Sequence, residues 1–134
     1  MGTLTFQTQV QYVDSQSYNH LPMSISESIT QTGNGYHSTT QEIGETAEEL
    51  NLGVNITTEG WLLLINAEAS GGADLLWRFD EPAGTAGITS GGVIEPGHIA
   101  KIQVVPGTEI WMECDPVGTS GTETADVIAT LFED

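Results

Sequence analysis

The chain has 134 residues, with 19 acids against only two bases, Arg78 and Lys101, for a formal net charge of −17. That field repels phosphate backbones and anionic bilayers, so it argues against nucleic-acid and membrane binding and suits basic protein surfaces or cations. Charged residues are only 16%; Thr, Ser, Gln, Asn and 16 glycines supply the rest of the polarity, a mixture that favours strands and turns over helices.

At the N-terminus, Met1-Gly2-Thr3-Leu4-Thr5-Phe6 has neither a basic start nor an apolar core, so no signal peptide is expected. Residues 3–13 alternate: Leu4, Phe6, Thr8, Val10 and Tyr12 against Thr3, Thr5, Gln7, Gln9 and Gln11, the pattern of a half-buried strand. A polar loop over 14–19 leads to a second alternating strand at 22–31. There Met23, Ile25 and Ile29 share a face, and Glu27 falls among them. Thr32-Gly33-Asn34-Gly35 predicts a type I′ hairpin turn. The strand returning over 36–43 is polar on both faces and needs a partner or solvent around it.

Residues 44–49 suggest a helical turn, with Thr46 and Glu49 as a capping box. A short strand over 50–54 then places Leu50, Leu52 and Val54 together. In Gly60-Trp61-Leu62-Leu63-Leu64-Ile65-Asn66 the apolar run predicts a central strand buried on both faces. Leu75, Trp77 and Phe79 share one face of a strand over 73–80. Residues 81–92, rich in Gly, Ala and Pro, read as a flexible surface loop. Pro96-Gly97 precedes a strand over 98–105 with Ala100, Ile102 and Val104 inward. Pro106-Gly107 then demands a bulged or longer turn before the strand 109–114. A Gly-rich loop over 115–123 precedes the last strand, 124–132.

About nine short strands without a convincing helix predict an all-β fold: a two-sheet, jelly-roll-like β-sandwich. The expected organisation is one domain over 1–134. Within it, 1–47 forms a polar N-terminal hairpin region available to partners, and 48–134 forms the core. A single cysteine, Cys114, excludes an intrachain disulfide and suits a reducing compartment.

Chemical motifs are sparse. Adjacent acids such as Glu48-Glu49 and Asp80-Glu81 face opposite ways on a strand, unlike the facing carboxyl pair a glycosidase needs. His20, His37 and His98 have no metal-ligand spacing, and no loop alternates oxygen ligands for calcium. None of the Ser-Gly pairs sits in a nucleophile elbow. No catalytic, cofactor-binding or metal-binding residue is assigned, and a non-enzymatic protein is expected. The acidity itself is explained equally well by solubility at high salt or by a basic partner.

The informative side chains are apolar ones on nominally polar faces. Trp111, Phe132, Leu76 and Ile128 lie opposite the main apolar sets of their strands, and Tyr36 opens a polar one. Either both faces of those strands are covered within the domain, or a second surface is buried against another copy. These five residues are the candidate subunit or partner interface.

Four stretches carry a family resemblance: Glu49-Leu50-Asn51-Leu52-Gly53; Gly60 to Ala67; Ile94-Glu95-Pro96-Gly97-His98-Ile99-Ala100-Lys101-Ile102; and the ending Ile128-Ala129-Thr130-Leu131-Phe132-Glu133-Asp134. In that order, over roughly residues 48–134, the chain resembles small virion proteins of tailed bacteriophages. The resemblance implies a jelly-roll-like module that cements or decorates the outer capsid surface, with the major capsid protein or other virion proteins as partners. It further implies a homo-oligomer, with a trimer favoured, assembled in the host cytoplasm. Alternatives are a tail or fibre-adaptor protein of the same fold and a carbohydrate-binding module using Trp77 or Trp111. A glycosidase ranks last.

Overall fold

A computed structural model describes residues 2–12, 21–31, 36–82, 87–118 and 121–133. The expected loop at 14–19 and turn at 32–35 lie outside them. The chain separates into two compact units, Met1–Gly35 (with Asp134) and Tyr36–Glu133. This boundary differs from the single domain, divided near residue 47, that the sequence suggested.

The first unit is a ribbon of two antiparallel strands, β1 (Gly2–Tyr12) and β2 (Leu21–Gln31). Its register opposes Leu4 to Ile29, Phe6 to Glu27, Thr8 to Ile25, Val10 to Met23 and Tyr12 to Leu21. Directly opposed residues share a face. Leu4, Phe6, Val10, Tyr12, Leu21, Met23, Ile25 and Ile29 therefore fall at positions on one side of the ribbon, with Thr8, Glu27 and Gln31 among them; the other side is mostly Thr, Ser and Gln with Pro22, and Thr5 and Gln7 there are exposed. The sequence instead suggested that residues 22–31 form a hairpin with 36–43. Among the described strands β2 pairs along its length with β1, because the period-2 pattern of 3–13 matches it far better than a strand polar on both faces.

The second unit is a sandwich of eight strands: β3 (Tyr36–Ile43), β4 (Glu48–Glu49), β5 (Gly60–Asn66), β6 (Asp74–Phe79), β7 (Gly92–Ile94), β8 (Ile99–Val104), β9 (Ile110–Asp115) and β10 (Ala125–Glu133). Two antiparallel sheets have the orders β3-β10-β5-β8 and β4-β9-β6-β7. The sandwich's first strand pairs with its last, β4 with β9, β5 with β8, and β6 with β7. That is the nested pairing of a jelly roll. Strand β3, polar on both faces, acquires its ladder from β10 and contributes fully buried Ile43 to the core.

Alternation builds the core. Leu62 and Leu64 of β5, Val127, Ala129 and Leu131 of β10, and Ile102 and Val104 of β8 meet Leu75, Ile94, Ile110, Met112 and Cys114 of the other sheet. Each large aliphatic side chain so buried stabilises the fold by roughly 1.5–3 kcal/mol. Strand β5 is buried on one face only: Trp61, Leu63 and Ile65 are half-buried on the outer side. The apolar run that implied two-sided burial thus has one face in the core and one partly open.

Three local expectations change for identifiable reasons. The helical turn at 44–49 does not form; the Glu48 carboxylate accepts from the Gly44 N–H at 3.0 Å, and β4 follows. The expected strand at 50–54 is irregular. Side chains satisfy its backbone instead of a ladder: Gln41 Oε1 accepts from Asn51 N–H, and Asn51 Oδ1 from Gly53 N–H, both at 2.8 Å. Strand β7 starts at the last residue of the Gly-rich loop expected over 81–92 and was not anticipated; residues 83–86 of that loop lie outside the described residues. Gly92 serves close packing: a Cβ there would lie 2.2 Å from Trp77 Nε1. The Pro106-Gly107 turn closes with Thr108 N–H donating to Val105 C=O at 3.1 Å, with Gly107 at φ 80°. It carries the chain from one sheet to the other.

Candidate interaction surfaces

Strand pairing assembles the outer face of the β3-β10-β5-β8 sheet in rows. Tyr36, Phe132, Trp61 and Gln103 lie side by side across the four strands. Two further rows run Ser38, Thr130, Leu63, Lys101 and Thr40, Ile128, Ile65, Ile99. The Tyr36 and Phe132 rings are 5.9 Å apart and tilted by 36°. Lys101 places its Nζ 3.9 Å from the Trp61 ring centroid, a cation–π contact. Ser38 and Thr130 hydroxyls hydrogen-bond at 3.0 Å. Apolar groups therefore dominate the centre of this face, and its margins hold Tyr36, 65% exposed, and Ile99, 61% exposed.

The other sheet has a different outer face. Trp111 lies between Glu49 of β4 and Arg78 of β6, and Leu76 lies between Glu113 and Val93. The Trp111 indole N–H is buried and, among the described residues, has no hydrogen-bond partner. A buried donor left this way costs about 1–3 kcal/mol. Glu113 accepts from the Ile88 N–H at 2.6 Å, holding the segment before β7 beside this face.

The five candidate residues thus divide. Tyr36, Phe132 and Ile128 come together on one sheet, and Trp111 and Leu76 on the other. The sequence reading missed Trp61, Leu63, Ile65 and Ile99 because the first three belong to a run expected to be wholly internal. The available signal was Asn66. A polar residue ending that run in phase with Leu62 and Leu64 marks their side as the one needing an internal hydrogen-bond partner.

Asn66 is fully buried. Its Nδ2 donates to the carbonyls of Ala73 and Ile94, each at 2.9 Å, and its Oδ1 accepts from the Glu68 N–H at 3.1 Å. The amide ties the end of β5 to the opposite sheet.

Many carboxylates bind backbone across loops. Glu45 accepts from Gly121 and Glu123, Glu68 from Asp126, Glu123 from Val117, and Glu133 from Thr57 and Thr58. Burial alone would raise the Glu133 carboxyl. The N–H groups of Thr57 and Thr58, the Thr57 hydroxyl and the His37 charge outweigh it and hold the group below its usual range. The Cys114 thiol is pushed up to about 11, by burial first and then by the carboxylates of Glu123, Glu45, Asp115 and Glu68. This makes it a core thiol with little thiolate at neutral pH.

At one end of the sandwich a groove of about 760 Å³ runs between residues 49–56 and 107–110. Its side chains include the carboxylates of Glu49 and Glu109, the amides of Asn51 and Asn55, and Leu52 and Val54. The Thr108 hydroxyl is committed to the Val105 carbonyl at 2.8 Å. A second hollow of about 390 Å³ is lined by Trp77, Arg78, Phe79, Ser90 and Gly91, with the two rings edge to face at 5.4 Å. Among the described residues no group of three His, Cys, Asp or Glu is placed to hold a metal, and no helix is long and apolar enough to cross a membrane. Comparison with protein-family models, with curated proteins and with solved structures found no match.

Proposed function

We propose that this chain is a non-enzymatic structural protein of a tailed-phage virion, a cement or decoration protein on the outer surface of the head. The observation that carries the reading is the apolar outer face of the β3-β10-β5-β8 sheet, where Trp61, Leu63, Ile65, Ile128 and Phe132 lie on the two central strands. Such a face, on a chain of net charge −17, suits contact with the exterior of a protein shell. The acidity repels packaged DNA. The jelly-roll architecture is one that capsid and lectin domains both use. The resemblance of residues 48–134 to small virion proteins points to the first of these. Loops stapled by Glu45, Glu68 and Glu133 give the pre-organised surface that binding through many weak contacts requires.

Titrating empty capsids of the source phage with purified protein tests the proposal. The expected result is saturable binding and a higher capsid melting temperature, both weakened by Trp61→Ala and Phe132→Ala. Absence of saturable binding overturns it. Label appearing on tails in micrographs would select the tail or fibre-adaptor reading of the same fold.

One observation favours a second reading, a carbohydrate-binding module: the hollow beside Trp77 and Phe79, with Arg78 and Ser90 at its edge. Signal on a glycan array that disappears in Trp77→Ala would select it.

A further inference from the structure

We propose that β8 is a strand-addition edge whose occupant is β8 of a second copy of this chain, paired antiparallel about a two-fold axis. The hydrogen bonds on either side of β5 fix which backbone groups of β8 point outward. Asn66 bonds on the β8 side: its N–H donates to His98 C=O at 3.1 Å, and its C=O accepts from Gly97 N–H at 2.9 Å. The next residue, Ala67, donates the other way, to Asp126 C=O at 2.8 Å. Successive residues of a strand direct their backbone groups to opposite sides. Gly60, Leu62 and Leu64 therefore bond to the β8 residues opposite them, Val104, Ile102 and Ala100. Ile99, Lys101 and Gln103 turn their N–H and C=O groups away from β5. Among the described strands none pairs with β8 on that side. Ile99 is 61% exposed there, and Gln103 is exposed.

The remaining sheet edges are shorter or tied. Strand β4 has two residues, both Glu, and β7 has three. Gln41 of β3 donates to Glu49 C=O at 3.3 Å and accepts from Asn51 N–H at 2.8 Å, which ties the end of β3 to β4. Charge and register then select the occupant of β8. Residues 98–108 include no Asp or Glu, in a chain with 19 acids. Two chains of net charge −17 can pair there without opposing carboxylates, whereas a basic strand finds no carboxylate and meets Lys101. Centring the pair on Lys101 sets Ile99 of each copy opposite Gln103 of the other, and residues so opposed exchange both backbone hydrogen bonds. An isologous contact asks only that the strand complement itself in this way. Lys101, on the axis, leans back over its own β5, with Nζ 3.9 Å from the Trp61 ring centroid. One continuous sheet then runs from β3 of one copy to β3 of the other. A joint over residues 99–103, about 17 Å long, is smaller than the ~800 Å² per partner of a standard interface, so dissociation in the micromolar range is expected. The proposal does not rest on the capsid reading.

The mass of the full chain by light scattering, from about 1 µM to about 1 mM, is the test. The wild type is expected to pass from one chain to two. The midpoint should fall several-fold between about 0.01 M and about 0.1 M sodium chloride, because salt screens the repulsion between two anions. Gln103→Pro should stay one chain: that N–H does not serve the β5 ladder, and such an edge position tolerates proline. Ile99→Glu combined with Gln103→Glu sets carboxylates against each other across the axis and should also stay one chain. Ile99→Lys combined with Gln103→Glu sets opposite charges there and should keep the two-chain mass. Thr40→Lys, at an exposed position on the opposite edge strand β3, should keep it too. A cooperative melt close to that of the wild type shows an intact sandwich in each variant. Should Gln103→Pro fail that check, the two charge variants decide. A wild type of one chain throughout overturns the proposal. So does an assembly that survives the paired glutamates, one dispersed by Thr40→Lys, or one that added salt weakens.

Discussion

The residue on which the two sheets most depend is Asn66. Among the described residues it is the only buried polar side chain, and both ends of its amide are hydrogen-bonded. Replacing it with Ala takes the side-chain partner from the carbonyls of Ala73 and Ile94 and from the N–H of Glu68, at a fully buried position. Each unmet buried group costs about 1–3 kcal/mol, so Asn66→Ala is expected to lose roughly 3–5 kcal/mol. Urea denaturation followed by tryptophan emission measures the loss. A loss below about 1 kcal/mol would mean that backbone hydrogen bonds such as Gly97 N–H to Asn66 C=O, at 2.9 Å, hold the junction without the side chain.

At the scale of elements, short strands such as β4 and β7 are held in place by carboxylates gripping the loops between strands. The grip of Glu133 on Thr57 and Thr58 fixes the approach to β5 and has a definite pH signature. Its folded pKa lies below the ordinary 4.5. The contribution is therefore fully present above the unfolded value and is lost as pH falls below 4.5 through the folded one. Glu133→Gln should be less stable than the wild type at pH 7. The gap between their urea midpoints should narrow as pH is lowered through that window, in dilute samples because the sequence pI is about 4.1. Parallel curves would show that the carboxylate contributes no more than an amide.

These staples also explain how much of the fold was legible. Strands β1, β2, β6, β8 and β10 could be read because their apolar residues repeat with period 2, and β5 because its apolar run is of strand length. The segments 44–54 and 92–94 could not. Glu48, Gln41 and Asn51 satisfy backbone there through side chains, and Gly92 carries no side chain to reveal that it packs on Trp77. The outer face of the β3-β10-β5-β8 sheet was half legible. Phe132 and Ile128 stood out on a strand that alternates, whereas Trp61 and Ile65 were masked by equally apolar neighbours in β5. That Trp111 and Tyr36 lie on different sheets follows from pairing between distant strands, which no local pattern encodes.

For the molecule as a whole, the governing quantity is charge density. Seventeen of 19 acids and both bases fall in residues 36–134, so the sandwich folds against its own repulsion. Self-repulsion destabilises the compact state more than the expanded one, and its reach shrinks from about 30 Å at 0.01 M salt to about 10 Å at 0.1 M. Added sodium chloride should therefore raise the melting temperature at fixed protein concentration, by roughly 5–10 °C if screening recovers about 1–2 kcal/mol. Screening and ion binding can be separated. Calcium chloride at matched ionic strength should do no more than sodium chloride if the acids act as a diffuse field. An excess effect of calcium would locate a bound cation. Glu59→Lys and Glu109→Lys, at exposed positions flanking β5 and β9, should raise the low-salt melting temperature and flatten the salt dependence. If both variants instead melt lower at every salt concentration, those carboxylates hold specific local contacts, and the repulsion account fails at the sites where it should be clearest.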